Sequence, residues 1–288
     1  MLVSIRRTAA LLVVLTVAAC RPADDGAPTT SALERGPRPD VVVVVVDDLR
    51  WDDFGAGGHP YAETPNIDRL AAEGAHFANS FHAVPLCSPN RASLLTGQYP
   101  SRHGIIDNVA RDLQSHGIHT YPRTMQEGGY ATAFLGKWHM GNDPTPRPGF
   151  DEWVGLPGQG RSTDPELFED GRLHVVEGYT TDVLTERALS FIAGVDLDEP
   201  FLLYLSHKAV HPDIAQRDDG SVDPASSLGY VPAPRHRGRY EDRTYPRRPN
   251  VVASPEELED KPALRRALAY RGSPEIGERF GGILDPGT

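Results

Sequence analysis

Val41-Val42-Val43-Val44-Val45-Val46 runs directly into Asp47-Asp48. Six consecutive β-branched residues favour a strand, because their stiff side chains pack well on a pleated surface. A run that is apolar on both faces suits a central parallel strand covered on each side. Outward from it the pattern alternates. Thr64-Pro65-Asn66 predicts a helix start, with Thr64 as N-cap and Pro65 at the first helical position. Ile67, Leu70 and Ala71 form its apolar stripe, and Gly74 ends it. Ala75 to Ala83 alternates as a strand would. Arg91 to Thr96 reads as a short helix stopped by Gly97, Tyr130 to Leu135 as a strand, Thr181 to Ala193 as a helix and Phe201 to Leu205 as a strand. Strands alternating with helices predict an α/β fold, a mainly parallel sheet flanked by helices.

Ligands of such sheets gather at the carboxyl ends of strands. Asp47, Asp48, Lys137, His139 and His211 all fall just after expected strands, so one shared site is expected there. Beyond about residue 214 the periodicity fades, and only Ala263 to Tyr270 looks helical.

The chain has 288 residues, with 29 Lys and Arg against 40 Asp and Glu and a formal net charge of −11. That balance argues against a general nucleic-acid binder, which needs cations to displace counterions. Two cysteines exclude a disulfide scaffold and any site of three or four cysteines. At the N-terminus, Arg6-Arg7 precedes an apolar stretch from about Thr8 to Ala19, too short to span a bilayer but suited to a signal peptide. Val17-Ala18-Ala19-Cys20 resembles the lipobox of bacterial lipoproteins, in which the cysteine is acylated. The expected organisation is a signal peptide over 1–19 and a Pro-, Ala- and Thr-rich lipoprotein tether over 20–37. A partial catalytic domain over 38–270 and an irregular tail over 271–288 follow. The expected location is the bacterial cell envelope, held by a lipid on Cys20, with no other membrane contact.

The strongest motif is Cys87-Ser88-Pro89-Asn90-Arg91, continuing Ala92-Ser93-Leu94-Leu95-Thr96-Gly97. A cysteine at a helix mouth is placed for a lowered thiol pKa. The string resembles the Cys-x-Pro-x-Arg signature of the type I sulfatases, alkaline-phosphatase-like enzymes whose cysteine is oxidised to formylglycine by a maturase. Other blocks follow the same order. Val41 to Arg50 resembles that family's first strand and acidic pair, and Thr64 to Ala71 its next helix. Gly136-Lys137-Trp138-His139-Met140-Gly141 and Ser206-His207-Lys208-Ala209-Val210-His211-Pro212 resemble two later blocks. The resemblance implies a sulfuric ester hydrolase acting on a sulfated small molecule or, more specifically, a sulfated glycan.

It also implies roles. Asp47, Asp48 and the modified Cys87 would hold Ca²⁺, or else Mg²⁺, both of which take oxygen ligands. The hydrated aldehyde offers one hydroxyl to attack sulfur and a second whose deprotonation expels sulfate, an exit that serine lacks. Arg91 would hold the formylglycine and the metal environment. Lys137 and His139 would bind sulfate oxygens and the formylglycine hydroxyls, and His211 would protonate the leaving alcohol.

The resemblance has gaps. The family completes its metal site with an Asp-Asn or Asp-His pair after a later strand, and no such block occurs here. Asp218-Asp219-Gly220 lies in a polar loop with no apolar run before it. A further late lysine and a C-terminal subdomain are also missing, so an incomplete sheet and low or no activity are expected. Two other readings stay open at this point: a phosphoesterase or phosphonate hydrolase of the wider alkaline-phosphatase-like group, and a non-catalytic lipoprotein that binds sulfated glycan.

Overall fold

The computed structural model describes residues 38–246, apart from 170, 197, 225, 227 and 228, together with 255–260. The chain divides after Arg38, and the fold described here is that of the second unit. The signal peptide, the tether with Cys20, the helix expected at Ala263–Tyr270 and the 271–288 tail lie outside the described residues. No described helix is long and apolar enough to cross a membrane.

Strand β1 (Val41–Val46) is followed by helices α1 (Pro65–Glu73), α2 (Cys87–Thr96), α3 (Pro100–His103), α4 (Asp112–Gly117) and α5 (Tyr121–Glu127). Strands β2 (Ala131–Lys137), β3 (Glu152–Leu156), β4 (Glu166–Glu169) and β5 (Arg172–Val175), helix α6 (Thr180–Gly194) and strand β6 (Phe201–His207) complete the order. The sheet runs β1-β6-β2-β3-β4-β5. The first four strands in that order are parallel, and β4 and β5 are antiparallel additions. The last strand in sequence thus inserts between the first two parallel ones, and the carboxyl ends of β1, β6 and β2 lie together.

The two-residue period of a strand sends alternate side chains to opposite faces. Ala133 and Leu135 of β2, Leu203 and Leu205 of β6, and Val154 and Leu156 of β3 face one core with Val183, Leu184, Ala188 and Phe191 of α6. Phe134, Trp153 and Tyr204 point the other way. They join Trp138, Phe150 and, from α2, Ala92 and Leu95. Phe134 stacks on Trp153 at 4.6 Å between ring centroids and on Tyr204 at 5.7 Å.

Several expectations need correction. The six valines form a strand, but it is the outer strand of the described sheet. Val43 and Val45 pack on the aromatic core. Val42 and Val44 are 50% and 55% exposed, because α6 packs chiefly over β2 and β6. The segment Ala75–Ala83 forms no strand, and Phe77 and Phe81 are 80% and 88% exposed. Its alternation has no neighbouring strand to pair with among the described residues. The helix expected from Arg91 begins four residues earlier, at Cys87. Thr64 does stand before α1, yet its hydroxyl does not cap the helix. It accepts from the Gly55 amide at 2.8 Å and donates to Asp68 at 2.9 Å.

Candidate active site

Each site residue is positioned by a strand end or a helix start. Asp47 and Asp48 follow β1 directly, and Asp48 takes a left-handed backbone (φ 56°), which a short polar residue tolerates. The Asp47 amide donates to the Ala209 carbonyl, and the Val210 amide donates to the Asp47 carbonyl, both at 2.8 Å. These two bonds stitch the end of β1 to the loop after β6 and bring His211 alongside Asp48. Lys137 ends β2. Before it, Gly136 has φ +116°, and a Cβ there would lie 2.0 Å from the Ser206 carbonyl oxygen. Only glycine allows β2 and β6 to approach so closely at the site. Cys87 opens α2, which ends at Gly97 as expected, with that glycine in the left-handed region (φ 66°).

These elements converge. One ligand atom from each of Asp47, Asp48 and Cys87 lies within 4.8 Å of the others. Lys137 Nζ lies 2.5 Å from one Asp47 oxygen and 3.9 Å from Cys87 Sγ. Arg91 meets the other Asp47 oxygen at 3.0 Å. Arg91 also donates to the Lys137 carbonyl and to Ser206 Oγ, each at 2.6 Å. Arg91 therefore orients Asp47 and ties α2 to β2 and β6. No bond from Arg91 to Cys87 accompanies these. Burial alone would push the Asp47 carboxyl up, but the Lys137 and Arg91 charges override it and hold the group at about 2. Burial pushes the enclosed Lys137 ammonium down, with Asp47 opposing.

The thiol expectation is overturned. Burial pushes the Cys87 thiol up, against the pull of Lys137, the opposite sense to the lowering expected at a helix mouth. Desolvation penalises the thiolate more than the nearby cations repay.

His139 and His211 are both buried. His211 Nδ1 donates to the Pro212 carbonyl at 2.7 Å, because a carbonyl can only accept. Its Nε2 faces Asp48 Oδ2 at 3.7 Å. Burial pushes His211 down, and it pushes His139 well below the ordinary range with the Lys137 and Arg91 charges acting in the same sense. His139 connects to the cluster through two glutamines. Its Nε2 lies 2.5 Å from Gln216 Oε1, which also accepts from Gln159 Nε2 at 2.9 Å. Gln159 Oε1 accepts in turn from Lys137 Nζ. Lys208 donates to the carbonyls of Pro212 at 2.7 Å and His211 at 3.3 Å, bracing the loop that carries His211. Beside them opens a cleft of about 420 Å³, lined by Lys208, His211, Ser162, Tyr179, Thr181 and Tyr230 among others.

All seven expected residues thus belong to one network at the carboxyl ends of β1, β6 and β2. Asp218 and Asp219 stay outside it: Asp218 accepts from Asn142 and Asp219 from Ser221. Gln159, Gln216 and Ser206 were not expected to act in the site. Ser206 stood inside a quoted block, whereas a lone glutamine in a polar loop carries no sequence signal.

A donor set of two carboxylates and the residue-87 side chain fits a hard divalent cation in kind. Atoms within 4.8 Å can share one ion at ~2.3–2.6 Å, and a carboxylate oxygen that accepts a hydrogen bond keeps a second lone pair.

The sulfatase family model matches residues 39–245. The N-acetylglucosamine-6-O-sulfatase of Bacteroides thetaiotaomicron is 34% identical over 224 residues, covering 76% of this chain and 36% of its own length. Human N-acetylgalactosamine-6-sulfatase is 35% identical over 210 residues, covering 61% of this chain and 40% of its own. Among solved structures, BT4656 in complex with its substrate D-glucosamine-2-N,6-O-disulfate superposes with a TM-score of 0.64 at 33% identity, over 74% of this chain and 40% of that one. Ps i-CgsB with k-i-k-neocarrahexaose gives 0.54 at 31% identity, over 63% and 47%. The chain therefore spans less than half the length of each of these proteins. Sulfatases generally use formylglycine and a divalent cation, and the match extends through every strand and site residue described here: the chain belongs to the sulfatase family.

Proposed function

We propose that this site hydrolyses the sulfate ester of a carbohydrate, with Cys87 converted to formylglycine and Ca²⁺ held by Asp47, Asp48 and residue 87. The observation that carries the reading is the meeting of Cys87 Sγ, two carboxylates and a buried ammonium at one point. The sulfur marks where the formylglycine oxygens would stand. Formylglycine supplies a hydrated aldehyde, a hydroxyl nucleophile with a second hydroxyl on the same carbon. A bound cation supplies positive charge and lowers the pKa of a hydroxyl it touches.

The chain's own groups do the rest. Lys137 brings a fixed cation to within 3.9 Å of the reacting position, where sulfate oxygens gather charge. Arg91 holds Asp47 in place and so indirectly fixes the carboxylate end of the site. His211, with its Nδ1 hydrogen committed to Pro212, presents Nε2 beside Asp48. In its imidazolium form it would give the Nε2 proton to the departing alcohol, with the Asp48 carboxylate 3.7 Å away to favour that charged form. The adjoining cleft is of a size for a sugar unit. The relatives named for hexosamine 6-sulfates favour a 6-sulfated hexosamine over other sulfated sugars.

Among the described residues, two carboxylates and one residue-87 oxygen are fewer than the six to eight oxygens Ca²⁺ prefers. Turnover by the 288-residue chain is therefore expected below the ordinary ~1–10³ s⁻¹. The test is sulfate release from N-acetylglucosamine 6-sulfate by chain co-expressed with a maturase, with and without Ca²⁺. Slow release that needs Ca²⁺ and disappears in Cys87→Ala supports the reading. Release unaffected by Cys87→Ala refutes it. Tight binding of the sulfated sugar without any release would leave the glycan-binding reading in its place.

A further inference from the structure

The hydrogen-bond chain between Lys137 and Gly220 has a fixed direction. At one end the Lys137 ammonium can only donate, and it meets Gln159 Oε1. Gln159 must then turn its amide nitrogen to Gln216, donating to Oε1 at 2.9 Å. At the other end the Gly220 carbonyl can only accept, and it takes the Gln216 Nε2 hydrogen at 2.6 Å. Both ends therefore impose the same amide orientation on Gln216, with Oε1 toward His139 Nε2 at 2.5 Å. An oxygen facing that nitrogen requires the hydrogen to be on the nitrogen.

We propose that Gln159 and Gln216 are positioning residues that lock His139 in its Nε2–H tautomer. In the neutral ring Nδ1 is then a bare acceptor, and it is buried with no hydrogen-bond partner among the described residues. A buried polar atom left open in this way calls for an explanation. Burial and the two neighbouring cations keep the ring neutral, consistent with one hydrogen only. Whatever occupies Nδ1 must bring its own hydrogen. A hydroxyl qualifies, whereas an ester sulfate oxygen, an acceptor, does not. The expected pairing of His139 with sulfate oxygens thus narrows to a hydroxyl partner, and Lys137 is left as the donor to sulfate. The effect on turnover rests on the proposed function; the tautomer does not.

The test is long-range ¹H–¹⁵N NMR of the full chain labelled at histidine, with the His139 signals identified by their loss in His139→Asn. The expected pattern is a protonated Nε2 and a bare Nδ1. Gln216→Leu should abolish that preference. Gln216→Glu, whose carboxylate only accepts, should retain the hydrogen on Nε2. A hydrogen on Nδ1 in the unsubstituted chain overturns the proposal, as does an unchanged pattern in Gln216→Leu. Where the leucine variant does not fold, the unsubstituted and glutamate chains decide: Nε2–H in both supports the lock, and a bare Nε2 in either refutes it. In the turnover assay, Gln159→Leu and Gln216→Leu should lower kcat by roughly 10–100-fold with a smaller change in KM. No turnover beside an intact Nε2–H pattern would fault the proposed function and leave the lock standing.

Discussion

β1 and β6 pair residue for residue, from Val41 opposite Leu202 to Val46 opposite His207, yet their surroundings differ. β6 has strands on both sides, α6 over one face and the aromatic cluster over the other, so Leu202 to Ser206 are buried. β1 has one neighbour and one covered face in the described sheet. Its middle is half open, with Val42 and Val44 turned outward, while its end at Asp47 is buried among cations. A strand can thus contribute little through its body and much through its last residue. Propensity makes the strand, but the reach of a helix on the neighbouring strands decides which of its residues matter.

The largest expected effect tests the close contact at the site end of β6. Gly136→Ala would place a methyl group 2.0 Å from the Ser206 carbonyl at φ +116°. We expect a loss above about 4 kcal/mol or failure to fold. Gly97→Ala, where the added carbon meets nothing within 4 Å, serves as control; the positive φ alone should cost about 1 kcal/mol. Similar urea midpoints for the two variants would contradict the packing described.

The second prediction concerns the end of β1. Asp47→Ala leaves Lys137 enclosed without its carboxylate, and breaking such a buried pair typically costs about 3–5 kcal/mol. A smaller comparison lies along the strands. Leu203→Ala in β6 should cost about 2–5 kcal/mol through cavity formation. Val44→Thr in β1 should stay within about 0.5 kcal/mol, because the side chain already faces outward. Equal losses at Val44 and Leu203 would show that β1 is covered on its outer face after all.

Much of this was legible in the sequence. Runs of β-branched or aliphatic residues marked β1 and β6, and the Pro65 start and Gly74 stop marked α1. Asp47, Asp48, Lys137, His139 and His211 stood out because each follows an expected strand and carries chemistry there, whereas Cys87 and Arg91 were marked by the resemblance of their motif to the sulfatase signature. The position of β1 in the sheet was not legible, because six identical valines say nothing about which side α6 covers. β3 escaped notice because Glu152-Trp153-Val154-Gly155-Leu156 is short and contains a glycine. The β4–β5 ribbon escaped too: its residues are partly polar and, throughout β5, exposed. Gln159 and Gln216 acquire meaning only when folding sets them between Lys137 and His139, 22 and 77 positions from those partners in the chain.

The account turns on residue 87. The cysteine is half-buried, its thiol is pushed up, and it faces an ammonium and two carboxylates, a setting poor for a thiolate and suited to an oxygen-bearing replacement. The most direct measurement is mass spectrometry of the peptide containing residue 87, from full chain co-expressed with a formylglycine-generating maturase. An aldehyde at that position, trapped by a hydrazide reagent and absent in Cys87→Ala, is the predicted result. A free thiol throughout, with the chain folded and the maturase active on a control substrate, would contradict the account.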